Sequence, residues 1–276
     1  MSDSEDAIER DYVLGTNDDE LARLGLQHRV WRDVVLSCWR AVGITAGSRV
    51  LDVGAGPGYA TLDLAELVGP TGTVVALERS TRYAAAARAS MAARGLGQVS
   101  IHEVDLMRDP FPPGRFDAAW CRWVACFVDS PRLLVQKIAA ALRPGGVAIF
   151  HEYADYATWR LLHPSDVLEQ FVQHVMSSWR NNGGEPNVAR ALPELLHDAG
   201  FTLRTLTPRI HCVRPGEPLW EWPRSFIHAN LDRLLELGRI DAHFARSARE
   251  ALTVAEKQPA TAMLTPLVLE IVATKA

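Results

Sequence analysis

Three glycines and one acidic residue stand at the ends of two neighbouring apolar runs of this chain. An apolar run leads into Gly54, Gly56 and Gly58, and a second apolar run ends at Glu78, twenty residues after the last glycine. Glycines let the backbone turn sharply and approach a bound molecule that a Cβ would obstruct. An acidic side chain that closes the next strand is placed to accept hydrogen bonds from a ribose diol. The pattern therefore predicts binding of a nucleoside at the edge of a parallel sheet.

The spacing of the glycines argues against a dinucleotide. A dinucleotide fingerprint, Gly-x-Gly-x-x-Gly, would have its third glycine at position 59, and that residue is Tyr59. The sequence also lacks a Gly-x-x-x-x-Gly-Lys phosphate loop. An NAD-linked oxidoreductase is therefore the least favoured enzyme class.

Residues 50–58 read Val-Leu-Asp-Val-Gly-Ala-Gly-Pro-Gly. They resemble the first motif of the class I S-adenosylmethionine-dependent methyltransferases, an apolar pair, an acid, an apolar residue and then Gly-x-Gly-x-Gly. The resemblance continues through residues 101–106, 116–121 and 142–150, and it covers roughly residues 48–152. It implies S-adenosyl-L-methionine as the cofactor, held by the three glycines and Glu78.

Further cofactor contacts follow from the resemblance. Asp105 and Leu106 stand where the family contacts adenine. Asp52 is expected to face the ammonium group of the cofactor, to stabilise the glycine turn, or to do both. Arg122 is expected to line the methionine half of the cofactor; its alternatives are a carboxylate of the acceptor or a salt bridge at the rim.

Two residues near the amino terminus are also expected at the cofactor. In related methyltransferases a tyrosine and a polar residue of the first helix fold over the carboxylate end of the cofactor. Tyr12 and Gln27 match that description here. The plain alternative for Tyr12 is an anchor for a flexible arm.

The catalytic candidates are His151 and Glu152, which lie at the carboxyl end of the predicted fifth strand. Methyl transfer from a sulfonium depends mostly on holding acceptor and methyl group in line. A base is needed only if the acceptor must lose a proton, and neutral imidazole suits that task near pH 7. Alternatively, either side chain packs within the sheet, since alternation lets only one of them face a pocket.

Apolar runs and helical periodicities define the elements that must position these residues. The predicted strands are 48–53, 73–78, 99–104, 116–121, 146–152, 202–212 and 262–274; the predicted helices of the sheet region are 59–68, 80–94 and 131–142. This order predicts an α/β fold with a doubly wound, Rossmann-like sheet, and the resemblance adds an antiparallel last strand.

We expect residues 1–47 to form an N-terminal arm and helix, and residues 48–276 to form the methyltransferase domain. Helical insertions are expected at about 155–185 and 213–258, where they and the first helix form a lid at the rim that carries the cofactor. Aromatic residues crowd the insertions and form either a flat, apolar acceptor pocket or the core of the insertions: Tyr153, Tyr156, Trp159, Trp179, Trp220, Trp222 and Phe226.

The composition of the chain argues against several classes of binding partner. The net charge is −4 and no run of basic residues occurs, which argues against a nucleic-acid substrate. No apolar stretch is long enough to cross a membrane, the acidic amino terminus has no signal core, and the four cysteines form no Cys-x-x-Cys pair. We therefore expect a cytoplasmic protein without a metal site. A homodimer through the first helix is compatible with the sequence but not required by it.

These observations predict an S-adenosylmethionine-dependent methyltransferase that acts on a small organic molecule, such as a biosynthetic intermediate. Two alternatives stay open at this stage. One is a methyltransferase that acts on protein or RNA, and the other is a protein that keeps the cofactor fold but methylates nothing.

Overall fold

The computed structural model describes residues 15–112 and 115–276. The α-helices in this part of the chain are α1 (Asp18–Ala41), α2 (Tyr59–Val68), α3 (Thr81–Ala93), α4 (Pro131–Ala141), α5 (Asp166–Asn181), α6 (Leu192–Asp198), α7 (Glu221–Glu236) and α8 (Ala242–Glu256). The β-strands are β1 (Arg49–Val53), β2 (Thr73–Glu78), β3 (Val99–Glu103), β4 (Phe116–Arg122), β5 (Leu142–Asp155), β6 (Arg160–Leu161), β7 (Phe201–Arg209), β8 (Cys212–Val213), β9 (Met263–Leu264) and β10 (Leu267–Lys275). Among these helices, none combines the length and apolar character that a membrane crossing requires.

A seven-stranded sheet in the order β3-β2-β1-β4-β5-β10-β7 forms the centre of the fold. The strands from β1 to β5 pair in parallel, whereas β10 runs antiparallel to both β5 and β7. The predicted doubly wound sheet with an antiparallel last strand is thereby confirmed. Strand order reverses between β1 and β4, and this switch point opens a crevice beyond the carboxyl ends of the strands.

The structure differs from the predicted elements after β4. Strand β5 was expected to end at residue 152 but continues to Asp155. Helix α6 begins at Leu192, after a short 3₁₀ turn over Val188–Arg190. A second sheet in the order β6-β9-β8 was not predicted, because two-residue strands are too short to show an alternating pattern.

Helix α1 joins the first segment of the chain to the core. Its amino terminus is capped by Asn17, whose side chain accepts a hydrogen bond from the Glu20 N–H at 2.9 Å. Trp31, Val35 and Trp39 follow at four-residue steps and are fully buried, so they form one apolar face. The helix packs on α2 and α7, and this places it across the rim where the crevice opens.

Candidate cofactor and acceptor site

A cavity of about 440 Å³ lies at the carboxyl ends of the parallel strands. Asp52 of β1, Glu78 of β2, Arg122 of β4 and Tyr153 of β5 line it. The loop after β3 and helices α1, α5 and α7 supply the remaining walls. The cavity therefore lies at the predicted rim of the sheet. The first helix and both insertions surround it.

The glycine turn between β1 and α2 leaves room for a ligand against the backbone. Gly54 has a φ of 70°, and a Cβ there would lie 2.3 Å from Val124 Cγ2. Gly56 has a φ of 57°, lines the cavity, and would meet no atom within 4 Å if it carried a Cβ. Both residues lie in the left-handed region that favours glycine. The turn therefore fits a ligand that approaches the main chain closely at Gly56.

Glu78 closes β2 at the cavity, as the sequence predicts. Its carboxylate accepts hydrogen bonds from the Gly56 N–H at 2.7 Å and from the Ser80 N–H at 2.8 Å. Burial raises the pKa of this carboxyl, while the two amide donors oppose the rise. Glu78 is thus fixed beside the glycine turn, with further lone pairs available to a ribose diol.

Asp52 ties β1 to the helix that follows the turn. The hydroxyl of Thr61 donates to Asp52 Oδ2 at 2.6 Å, and both side chains are buried. Burial raises the pKa of Asp52 to about 6. Because Asp52 also lines the cavity, its two expected roles, turn stabilisation and an approach to the cofactor, are compatible.

Asp105 and Leu106 form the wall of the cavity after β3. The Asp105 carboxylate accepts a hydrogen bond from the Met107 N–H at 2.9 Å, which fixes the loop. Leu106 is buried against the core. A carboxylate beside an apolar side chain suits the polar edge and the face of an adenine.

Gln27 of α1 lines the cavity and joins α1 to α7. Its Oε1 accepts hydrogen bonds from Arg23 Nη1 and from Trp222 Nε1, both at 3.0 Å. Because the oxygen takes both donors, the amide nitrogen remains to donate to a carboxylate in the cavity. Tyr12, the other residue expected at this end, lies outside the described residues.

Arg23 and Glu20 are cavity residues that the sequence reasoning missed. Arg23 donates two hydrogen bonds of 2.6 Å to the Glu20 carboxylate, and the pair is buried. Glu20, Arg23 and Gln27 recur at steps of three and four on a helix whose other buried positions are largely apolar. That polar stripe is the signal that could have identified them.

Arg122 lines the cavity at the end of β4. Its Nη2 donates to His28 Nδ1 at 3.0 Å, so His28 is neutral and donates through Nε2 to Asp63 at 3.0 Å. Burial lowers the pKa of Arg122 to about 10 and also lowers the pKa of His28. Arg122 Nη1 is buried with no partner among the described residues, which leaves a donor for an anionic group of a ligand.

His151 and Glu152 have other partners and do not line the cavity. His151 Nε2 is 2.8 Å from Glu270 Oε2, and Glu152 Oε1 accepts from the Val124 and Ala125 N–H groups. Both side chains are fully buried. Burial lowers the pKa of His151 and raises that of Glu152 to about 7. A direct catalytic role for either residue stays a prediction, and nothing in the cavity wall supports it.

The aromatic residues of the insertions divide into two groups. Tyr153, Trp179 and Phe226 line the cavity. The others are core residues with at most 3% of their surface exposed: Tyr156, Trp159, Trp220 and Trp222. Three of these aromatics therefore line the cavity and the other four belong to the core, while an acceptor-binding role for the first three stays a prediction.

The glycine turn, Glu78 and Asp105 all fall within residues 50–146, which match the family described as "Methyltransferase domain". Residues 50–146 of the chain therefore form a methyltransferase domain, in line with the resemblance of its motifs to the class I S-adenosylmethionine-dependent methyltransferases. S-adenosylmethionine is the cofactor that the sequence motifs predict for such a domain. The glycine turn, which offers room at Gly56, and the unpartnered Arg122 nitrogen both fit such a ligand.

Known proteins support the methyltransferase assignment. The ubiquinone/menaquinone biosynthesis C-methyltransferase UbiE of Pseudomonas aeruginosa is 29% identical over 46% of this chain and 49% of its own length. Among solved structures, a candidate methyltransferase from Bacillus halodurans has a TM-score of 0.58 at 17% identity, covering 87% of this chain and 97% of its own.

A second structure is phosphoethanolamine N-methyltransferase 2 of Haemonchus contortus, in complex with phosphomonomethylethanolamine and S-adenosylhomocysteine. It has a TM-score of 0.54 at 17% identity, covering 89% of this chain and 52% of its own. At such identities the two structures show the shared fold of the methyltransferase domain. The chain spans about half the length of the curated relatives it matches.

Proposed function

We propose that this protein transfers the methyl group of S-adenosylmethionine to a small, flat and largely apolar organic molecule, such as a biosynthetic intermediate. The observation that carries the proposal is the continuity of one cavity. The glycine turn and Glu78 lie at one end of this cavity. Tyr153, Trp179 and Phe226 line its other end. Donor and acceptor would therefore meet inside a single enclosure.

The charges at the acceptor end favour a neutral molecule. The guanidinium of Arg23 lies over the Phe226 ring, and Glu20 neutralises its charge through two hydrogen bonds of 2.6 Å. Aromatic walls stack well against a planar ring. A cavity of about 440 Å³ is in the usual range for small-molecule sites. The cavity is open and not filled by the protein's own side chains, and this supports a methylating enzyme over a non-methylating protein. No feature of the cavity favours the protein or RNA alternative.

S-adenosylmethionine supplies an electrophilic methyl group on a sulfonium, and the residues of this chain orient the acceptor and exclude water from it. The Tyr153 hydroxyl makes no hydrogen bond among the described residues, although only 4% of the residue is exposed. Burial raises the pKa of Tyr153, so the hydroxyl keeps its proton at neutral pH. Tyr153 is therefore placed to donate a hydrogen bond to an oxygen or nitrogen of the acceptor.

The experiment that tests this function is an assay for S-adenosylhomocysteine formation across a panel of planar metabolites. With an accepted substrate, Tyr153→Phe should lower kcat/KM by about tenfold, because one hydrogen bond to the acceptor is lost. Tyr156→Phe is the matched control, since Tyr156 is buried outside the cavity wall. Equal losses in both variants, or turnover confined to protein or RNA substrates, would refute the proposal.

A further inference from the structure

Three consecutive amides of the loop after β4 are held by two consecutive residues of β5. The Trp123 N–H donates to the His151 carbonyl oxygen at 3.0 Å. The next two amides, of Val124 and Ala125, donate to Glu152 Oε1 at 2.7 Å and 2.8 Å. One carboxyl oxygen thus accepts both hydrogen bonds and fixes the direction of the loop.

The loop is held in a conformation that its sequence does not favour. Trp123 has a φ of 52° and is the single non-glycine residue with a positive φ in the ranges 15–112 and 115–276. A bulky L residue in this region is strained and persists only where the surroundings determine the backbone. The hydrogen bonds from residues 123–125 to β5 supply that constraint.

The strained loop touches both ends of the cavity. The Trp123 ring lies nearly parallel to Tyr153, with centroids 5.8 Å apart and an interplanar angle of 17°. The Val124 side chain packs against Gly54, where an added Cβ would lie 2.3 Å from Val124 Cγ2. The position of this loop therefore determines the acceptor wall at Trp123 and the space beside the glycine turn.

The burial and contacts of Glu152 are those of a residue that stabilises the loop from within the core. It is fully buried and absent from the cavity wall. Its Oε2 is buried and makes no hydrogen bond within the usual geometric limits among the described residues, and the Cys126 thiol and N–H also interact with the carboxyl. Burial raises its pKa to about 7, and in either protonation state Oε1 can accept the two amide hydrogen bonds.

We propose that Glu152 is a positioning residue, whose Oε1 holds the loop of residues 123–125 so that Trp123 faces the acceptor and Val124 abuts Gly54. It acts through the loop and does not take a proton from the acceptor. The part of this inference that concerns turnover rests on the proposed function, whereas the part that concerns the loop does not.

The test uses Glu152→Gln and Glu152→Leu in the full chain. The Gln side chain retains a carbonyl oxygen that can accept both amide hydrogen bonds, whereas Leu has a similar size and no acceptor. Glu270→Gln is the control, because Glu270 is also buried but contacts His151 and Arg209. The measurements are amide exchange of Val124 and Ala125 by NMR without ligand, S-adenosylhomocysteine affinity by calorimetry, and kcat.

Glu152→Gln and Glu270→Gln should keep both amides protected, and Glu152→Gln should retain cofactor affinity and kcat within about twofold. Glu152→Leu should speed exchange of both amides and weaken S-adenosylhomocysteine binding, each by roughly tenfold. Unchanged exchange in Glu152→Leu would overturn the proposal.

A second outcome also contradicts the proposal, and it does not require Glu152→Leu to fold. If Glu152→Gln keeps its exchange rates and affinity but loses kcat, the ionisable carboxyl takes part in the reaction. If the wild-type protein methylates nothing, the proposed function fails, while the exchange rates still decide whether Glu152 holds the loop.

Discussion

Gly54 offers a direct test of the contact between the glycine turn and the loop after β4. In Gly54→Ala the new Cβ would lie 2.3 Å from Val124 Cγ2, on a backbone with a φ of 70°. The left-handed conformation costs an alanine about 1–2 kcal/mol. Forcing a methyl group into a filled space costs about 1–3 kcal/mol more. We therefore expect the free energy of unfolding to fall by about 2–5 kcal/mol.

Three further variants separate these terms: Gly43→Ala, Val124→Ala and the double variant Gly54→Ala/Val124→Ala. Gly43 has a φ of 92° and no atom within 4 Å of an added Cβ, so Gly43→Ala measures the conformational cost alone. Effects of the Gly→Ala change on the unfolded chain are similar at both positions and cancel in the comparison. In a Val124→Ala background the atoms at 2.3 Å and 3.0 Å are absent and the closest contact is Val124 Cβ at 3.2 Å. There the cost of Gly54→Ala should fall close to that of Gly43→Ala.

The assay is urea unfolding followed by far-ultraviolet circular dichroism, with the midpoint and slope compared among the four variants. Gly54→Ala should also bind S-adenosylhomocysteine more weakly than Gly43→Ala, because Val124 and the turn must move apart. If Gly54→Ala destabilises the fold no more than Gly43→Ala, the close packing of turn and loop is wrong. The same conclusion follows if the Val124→Ala background brings no relief.

Three further predictions concern the buried polar groups. Trp222→Phe removes the hydrogen bond to Gln27, so it should lower the free energy of unfolding by about 1 kcal/mol and weaken S-adenosylhomocysteine binding. Trp220→Phe removes a hydrogen bond to Glu256 outside the cavity, so it should lower stability without changing binding. Since the pKa of His28 is lowered on folding, urea unfolding should show stability falling as pH drops below about 6.5, and less so in His28→Gln. Because folding raises the pKa of Asp52 to about 6, wild type should lose stability relative to Asp52→Asn as the pH rises from about 4 to about 6. A stability difference between the two proteins that does not change with pH would contradict this prediction.

The cofactor end of the site could be predicted from the sequence because its geometry is local. Gly54 follows directly on one apolar run, Gly56 lies two residues further along, and Glu78 closes the next apolar run. The carboxyl ends of neighbouring parallel strands must meet at one edge of the sheet. Strand order and chain order together therefore determine which residues converge, without knowledge of side-chain packing.

The catalytic candidates failed to reach the cavity for a reason the sequence does not show. The polar pair His151-Glu152 interrupts an apolar run and looks like the end of a strand, but β5 continues to Asp155. Both faces of β5 are covered at these positions, so alternation turns neither side chain towards the cavity. The residue of β5 that reaches the wall is Tyr153, immediately after them.

The acceptor end depends on how distant segments pack, and its residues could be predicted only as a group. Whether an aromatic residue such as Trp179 or Trp159 lines a cavity or fills a core depends on helix orientation, since both are buried and both lie near α5. The contribution of Arg23 likewise follows from the packing of α1 on α7. Periodicity shows which residues share one face of a helix, but not whether that face packs against the core or lines a cavity.

We infer that the cavity beside Gly56 and Glu78 binds S-adenosylmethionine. Isothermal titration of the purified protein with S-adenosylmethionine, with S-adenosylhomocysteine and with NAD tests this binding directly. We expect micromolar binding of S-adenosylhomocysteine, weaker by about tenfold in Glu78→Ala, and no binding of NAD. Binding of NAD alone, or no binding of S-adenosylmethionine or S-adenosylhomocysteine, would contradict it.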